Sequence, residues 1–589
     1  MHTPKGYAAG IKVHMNFNFA IIGGGLTGTT MLYQFVEQVR QETDRKALDP
    51  SKIKIQIFEK QETFGPGFPH CDRNVMPFHI TNMCAKDMGI RLGNPADFHD
   101  WVSINQDRLQ ARFPWLHDSS YSHGQCSHYP RAIMGEYLKE RFHEAHQKAQ
   151  ALGLKVELFA QSEVVDLEER SDKIHLTVKR LVSGSIFSCF ADRVLLATGH
   201  WFEKKKQNTY FPSPWPAKHL LQRIPEGETV AVIGTSLSAI EVVLTLTSNG
   251  RFMRGDPDEL VYEPPSNPRR FALYSRRGLL PKVRGKTGKY RNTYLTRKNV
   301  RRLVVENQGV LTLEAVFQLL NLELEAAYGH PINWKEVVNP TRAAADLLQQ
   351  YLEDAKSGDG PDGELIWQTV LHQSFEMVRE IYLKLRLEDK KRFDKEYTSI
   401  FFTHAATQPS INAQKLAALM KSGIVEVYKL GRNYQFVKNE SSNEYEFVYE
   451  DPKGNIRRDA YRYVVNARGQ AKSIKTDPSI LTKNLLKRHI VQTEETQILQ
   501  PADRQRTRSG NPPQTELQTY QTGSMRIDPK THQIIKPASD KTTTKSNGIY
   551  AVGAMTRGQI IDASMAHGIV QSTAEIARHW IDYLKQVAM

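Results

Sequence analysis

Two short glycine-rich segments carry the first chemistry legible in this chain. Phe19-Ala-Ile-Ile-Gly-Gly-Gly-Leu-Thr-Gly28 lies near the start, and Val230-Ala-Val-Ile-Gly-Thr-Ser-Leu-Ser-Ala239 returns about two hundred residues later. Each is an apolar run that ends in glycine and leads into a helix-like stretch, the context in which G-x-G-x-x-G cradles a dinucleotide. In the first segment Gly23 permits the tight turn, Gly25 admits backbone to a pyrophosphate, and Gly28 lets the helix pack on the strand; Thr27 stands at the phosphate end. In the second, Gly234 keeps the turn, while Ser236 and Ala239 replace the other two glycines. Ser236 brings a hydroxyl that can bond a phosphate, and Ser238 joins it as a candidate contact. Two cradles predict two nucleotides and electron transfer between them.

The elements needed to position these residues are visible in the pattern. Residues 19–22 read as a buried strand, and Met31, Leu32, Phe35, Val36 and Val39 share one helical face behind it. A helix start at this point offers unpaired N–H donors and a favourable dipole to phosphate. A second strand over Ile53–Phe58 ends at Glu59, whose carboxylate can accept from ribose hydroxyls. Glu59 lies 31 residues after Gly28, more than the usual ~20, and the polar stretch Gln41 to Ser51 is expected to be a surface insertion.

The second unit has a strand over 229–233 and another over 270–274, the latter followed by Arg276 and Arg277. Arginine accommodates a ribose 2′-phosphate where an acid favours the free hydroxyl. The expected nicotinamide is therefore NADPH.

Composition sets the outer bounds. At 589 residues the chain divides into several domains, and 40% hydrophobic with 24% charged residues is ordinary for a globular protein. No run approaches the ~20 apolar residues of a membrane helix, and the first cradle begins too early to lie behind a cleavable signal, so a cytoplasmic, bacterial protein without a membrane partner is expected. Cys71, Cys84, Cys126 and Cys189 form no C-x-x-C pair, which argues for free buried thiols over a disulfide framework or a metal site. The net charge of +15 suits anionic ligands; seven of its cations fall between Arg276 and Arg291. Nucleic acid is not the expected partner, a small molecule is, and the oligomeric state is left open.

These segments resemble the flavoproteins with two dinucleotide-binding domains, a superfamily that includes glutathione-reductase-like enzymes and flavin monooxygenases. The resemblance implies that the first cradle, ending in Glu59, holds FAD. Val194-Leu-Leu-Ala-Thr-Gly199 resembles the family's A-T-G element and Tyr463-Val-Val-Asn-Ala-Arg-Gly469 its second copy. By family position Val164 places backbone against adenine, Asn82 lies near the flavin edge, and Gly199 and Gly553 contact cofactor. Asn547 to Gly558 resembles the last FAD element, with Ala554 where aspartate is common. A helix after Ser564, with Ile569, Ile576 and Trp580 apolar, would aim its N-terminus at the flavin. His79 to Asn82, Tyr129 to Tyr137, Pro212 to Pro216, Arg277 to Pro281 and Gly553 to Gly558 are similar to a bacterial subfamily of poorly characterised FAD/NAD(P)-binding oxidoreductases.

The expected fold is α/β, with two Rossmann-like three-layer domains. The FAD domain is discontinuous: 1–225 forms its first part and 470–589 its C-terminal part. The NAD(P)H domain takes 226–300 and 396–469, and a helical insertion spans 301–395, where Ile366, Val370, Phe375, Val378 and Tyr382 repeat at helical spacing. Residues 424–469 are strand-like, with a turn at Asp451-Pro-Lys-Gly454.

The expected function is an FAD-dependent oxidoreductase reduced by NADPH, a monooxygenase acting on a nitrogen or sulfur centre of a small molecule. Absence of a redox cysteine pair favours this over a disulfide reductase. An NADPH dehydrogenase with another acceptor shares every motif, and a non-catalytic FAD/NAD(P)-binding protein with a docking role is the third reading. No catalytic side chain stands out; His70, His79, His404, His567 and Arg91 are the residues near the motifs whose chemistry deserves a structural test.

Overall fold

A computed structural model describes residues 16–114, 128–170, 173–202, 208–255, 259–470, 473–501, 515–537 and 544–588. Strands are numbered in chain order. The first sheet has the order β20-β21-β7-β1-β2-β3 and is built from β1 (Phe17–Ile22), β2 (Ile53–Phe58), β3 (Lys155–Phe159), β7 (Arg193–Leu196), β20 (Gln533–Ile535) and β21 (Lys545–Ala551). β1 pairs in parallel with β2 and β7, and β21 in parallel with β7; β20 alone runs antiparallel. The second sheet has the order β13-β12-β9-β17-β8, all parallel: β8 (Tyr210–Phe211), β9 (Thr229–Ile233), β12 (Arg270–Ser275), β13 (Val425–Lys429) and β17 (Tyr463–Asn466).

Parallel strands bury both faces, which is why their sequences run continuously apolar. On one face of the first sheet, the helices Leu26–Asp44 and Ala566–Ala588 enclose a core of Phe19, Phe35, Ile55, Ile576 and Trp580. The three Phe19, Phe35 and Trp580 rings meet at 4.7–5.4 Å. The other face is covered by the antiparallel sheet β4 (Ser162–Glu169), β5 (Ile174–Arg180) and β6 (Ile186–Ala191). The second domain repeats the plan. Helices Leu237–Leu246 and Ser410–Lys421 cover one face, and the antiparallel β14 (Gln435–Asn439), β15 (Glu444–Glu450) and β16 (Ile456–Tyr461) cover the other. Two three-layer Rossmann-like domains follow, as the glycine segments predict.

Three local expectations change. Gln41 to Ser51 is not wholly a surface insertion, because the first helix continues to Asp44, held by the Lys585–Glu42 ion pair at 2.7 Å. The two-residue β8 already belongs to the second sheet, so the chain enters that layer ahead of residue 226; so short a strand leaves no periodicity to read. Between β12 and β13, the inserted helices begin at Arg297 and continue through Thr398–Ala405, beyond 395, before Ser410–Lys421 returns to the second domain's own layer. The insertion has its own apolar core, which includes Leu319, Met377 and Tyr382 and reaches Ile561 of the C-terminal segment. Arg379 fastens it there, donating to Asp562 at 2.8 Å and to the Gly568 carbonyl at 2.9 Å.

Candidate functional site

Both glycine segments open into one cleft of about 1380 Å³. In the first, β1 ends at Gly23, which adopts φ +112, and a Cβ there would collide with the Ala197 carbonyl that follows β7. A Cβ on Gly28 would collide with the Gly23 carbonyl itself, and one on Gly25 would lie 3.0 Å from the Gly67 Cα. The loop is thus compressed between two strand ends and a facing turn, leaving backbone alone at its surface. The helix begins with no side-chain cap and no acidic residue in its first turn, so its leading N–H groups keep their capacity for an anion.

Glu59 closes this loop from the side. Its carboxylate accepts from Gly24 N–H at 2.7 Å and from Gln61 N–H at 2.8 Å. Burial pushes its pKa above the ordinary carboxyl range, against the pull of those two donors. It lines the cleft together with Gly23, Gly25, Thr27, Asn82, Val164, Gly199 and Gly553, whereas Gly28 lies behind it as the packing glycine.

The second cradle has the same skeleton. β9 ends at Gly234, φ +131, where a Cβ would lie 2.8 Å from the Ala467 carbonyl after β17. Ala197 and Ala467 therefore do equivalent work at the two A-T-G-like elements. Ala239 is fully buried at the helix–strand contact. Ser236 occupies the N-cap position, yet its hydroxyl makes no cap bond; Thr296, Thr312 and Ser479 do cap their helices. Ser236 and Ser238 both line the cleft.

Arg276 and Arg277 also line it, held by backbone carbonyls. Arg276 donates to Lys395 O at 3.2 Å, and Arg277 to Val338 O and Glu396 O at 3.2 and 3.1 Å. Burial, then Arg276 and Arg432, lower the Arg277 pKa, the mark of a locally positive field.

The histidines separate. His70 lines the cleft, its Nδ1 has no partner, and burial followed by Arg131 lowers its pKa to about 3. His79 is 1% exposed and bonds Thr245 Oγ1 of the second domain at 2.9 Å; burial lowers it to about 4. His404 Nδ1 lies 3.0 Å from the Ile400 carbonyl and its ring meets Trp367 edge-on, while His567 lies 3.3 Å from Asp562; neither lines the cleft. Arg91 belongs to an ion-pair network with Asp97 and Glu144, at 3.3 and 2.9 Å, away from the cleft. Cys71 and Cys189 are buried free thiols outside it, Cys84 is buried and also outside it, and Cys126 lies outside the described residues.

Several cleft residues escaped the sequence reading. Arg131 donates to Glu241 at 2.7 Å across the two domains. His200 directly follows Gly199, lines the cleft and is exposed there. Tyr382, Asp394 and Phe402 form the wall that the insertion adds, and Tyr520 and Arg557 of the C-terminal part complete it. Only Arg131 and Arg557 fell inside segments already singled out by motif.

A dinucleotide fits this cleft on the chain's own evidence. The two loops are bare backbone where a Cβ would obstruct, and the Gln470 amide, Trp201 Nε1 and His70 Nδ1 are buried polar atoms on its walls that lack partners. Among the described residues, no helix is long and apolar enough to cross a membrane.

Residues 20–201 match the model of a family described as FAD-NAD(P)-binding. An uncharacterised protein of Escherichia coli K12, YdhS, is 24% identical over 470 residues, covering 74% of this chain and 82% of its own. Among solved structures, the reduced ornithine hydroxylase of Pseudomonas aeruginosa aligns over 98% of this chain and 100% of its own at 10% identity and TM-score 0.49. The L-lysine 6-monooxygenase of Pseudomonas syringae aligns over 96% and 99% at 12% identity and TM-score 0.45. The chain thus has two three-layer units with paired glycine loops, and the match to the FAD-NAD(P)-binding family model falls on residues 20–201, which contain the first of those loops.

Proposed function

We propose that this protein is an FAD-dependent oxidoreductase reduced by NADPH, and specifically a monooxygenase acting on a nitrogen or sulfur centre of a small molecule. The observation that carries this reading is the single cleft shared by both cradles. Donor and acceptor held in one cavity need no mobile carrier between them. Bound FAD supplies the chemistry: it accepts a hydride and passes electrons on to oxygen.

The chain's part is to bind, orient and shield. The uncapped start of the helix Leu26–Asp44 takes the FAD pyrophosphate, and Glu59 accepts from the adenosine ribose with lone pairs not used by Gly24 and Gln61. Ser236 and the start of the helix Leu237–Leu246 take the second pyrophosphate, with Arg276 and Arg277 placed for a 2′-phosphate. Ser564 and Ala566, at the start of the C-terminal helix, line the cleft, and that helix has no acid in its first turn. Its dipole favours negative charge developing there. Trp201, Phe202 and Trp215 supply apolar wall, which limits water around the reacting groups. His70, whose pKa burial lowers to about 3, stays neutral at physiological pH and so adds no competing positive charge.

The choice between oxygen and another acceptor is tested by comparing NADPH oxidation in oxygenated buffer, in anaerobic buffer, and in anaerobic buffer with a dye. A monooxygenase consumes oxygen in step with NADPH and transfers an oxygen atom to its nucleophile. Rapid dye reduction with negligible oxygen consumption would instead establish a dehydrogenase.

A further inference from the structure

The arginines of the cleft differ in how their charge is met. Arg73 pairs with Glu62 at 2.7 Å, Arg131 with Glu241, and Arg379, just behind the wall, with Asp562. Arg557 has no such partner among the described residues. Its guanidinium stands over the Phe402 ring at 5.1 Å and faces the cleft. Asp394, the carboxylate whose charge acts on Arg557, sits in a π-helical turn over Phe393–Tyr397 and is already engaged. Tyr382 donates to it at 2.9 Å and Tyr520 at 2.5 Å.

Arg557 is exposed on the cleft side, so a ligand's carboxylate can reach its guanidinium without displacing a protein partner. Two further features mark the spot as built. The π turn that presents Asp394 is a rare backbone form that recurs at functional sites. The Tyr382–Asp394–Tyr520 cluster ties the insertion to the antiparallel ribbon β18 (Thr493–Pro501) and β19 (Thr515–Met525), so the wall around Arg557 draws on three separated parts of the chain.

We propose that Arg557 is the anchor of a substrate subsite that takes a carboxylate, with Phe402 and Ile561 flanking the apolar stem of the same molecule. The proposal rests on the reading of the cleft as a flavin and NADPH site, and it adds a substrate class: small organic acids. Arg557 presents a planar fork suited to a carboxylate, and the Asp394 cluster next to it holds the wall in place.

The test uses the full-length FAD-loaded protein with glutarate as the carboxylate probe, glutaramide as its neutral counterpart, and inorganic phosphate. Saturable glutarate binding, read from the flavin visible spectrum and from a rise in Tm, is expected, with no response to glutaramide. Arg557→Gln should weaken glutarate on the order of tenfold or more, and Arg557→Lys less, both at full FAD occupancy. The subsite is overturned if glutarate does not bind, if Arg557→Gln leaves glutarate affinity unchanged, or if that variant loses FAD. It is also overturned if phosphate binds through Arg557 in competition with NADPH, which would make the residue a cofactor contact. Flavin bleaching by NADPH is measured separately on the wild-type protein: bleaching without glutarate binding removes the subsite alone, whereas glutarate binding without bleaching removes the redox reading.

Discussion

The two cradles share a strand, a glycine turn and a strand-end alanine carbonyl pressing on that glycine, yet they brace themselves differently. In the first, a carboxylate holds the loop: Glu59 accepts from Gly24 N–H. In the second, Thr235 does the equivalent work with a hydroxyl, donating to Leu279 O at 2.5 Å with Ser275 Oγ 3.1 Å away. The packing position differs too, because no Cβ fits at Gly28 while Ala239 is accommodated. The first loop is therefore more compressed and carries an acid at its rim. The second is looser, offers hydroxyls, and has two arginines at its rim. One backbone plan thus yields two sites of opposite rim charge, which is what two different dinucleotides require.

Substitution at the packing position should separate the cradles most sharply. Gly28→Ala forces the first helix off its strand, and overpacking of this kind costs about 3 kcal/mol; the expected outcome is loss of FAD from the purified protein and a lower Tm. Retention of stoichiometric FAD would show that the first loop has slack that its contacts do not suggest.

Next in size is the arginine pair. Losing a charge-assisted contact to phosphate removes about 1.5–3 kcal/mol, so Arg276→Gln with Arg277→Gln should lower kcat/KM for NADPH roughly 10- to 100-fold while leaving NADH nearly unchanged. Equal losses for the two nicotinamides would mean that the arginines brace the insertion through Lys395, Glu396 and Val338 and do not read a 2′-phosphate.

The contact between the domains has its own signature in pH. His79 is held neutral, its pKa lowered to about 4 by burial and then modulated by Glu241 and Arg131. An unfolded histidine titrates near 6.5, so the unfolded chain binds more protons below that value, and stability is present above pH 6.5 and lost as pH falls toward 4. The full contribution is about 3 kcal/mol. His79→Gln should flatten the fall in Tm between pH 6.5 and 4; an unchanged slope would place the sensitivity in other buried histidines.

Smallest is the reverse change in the second cradle. Ala239→Gly removes a methyl from a helix start and should cost about 1 kcal/mol, with NADPH binding retained. A large loss of NADPH affinity would make the second loop as tightly determined as the first.

Much of this was legible in the sequence where local rules suffice. β1, β2, β9 and β12 follow from apolar runs that end at glycine, and the first-cradle residues Gly23, Gly25, Thr27 and Glu59 follow from the spacing and the strand end. The helix Ile366–Lys384 follows from its apolar period. What could not be read is what the fold brings together from afar. Arg131 gains meaning only from Glu241, and Arg557 only from Phe402 and an Asp394 already engaged by Tyr382 and Tyr520. His79, beside a recognisable motif, is a contact between domains because Thr245 lies opposite, a fact with no local trace. The two-residue β8 likewise takes its place from its partner β17, not from its own pattern.

The central claim is that both cradles serve one cleft, so that NADPH bound at the second reduces FAD bound at the first. Anaerobic titration of the purified FAD-containing protein with NADPH, followed by the flavin's visible absorbance, tests it directly. The account predicts complete bleaching at one equivalent of NADPH, far faster than with NADH at the same concentration. A protein that keeps its FAD, binds NADPH and remains yellow would contradict it.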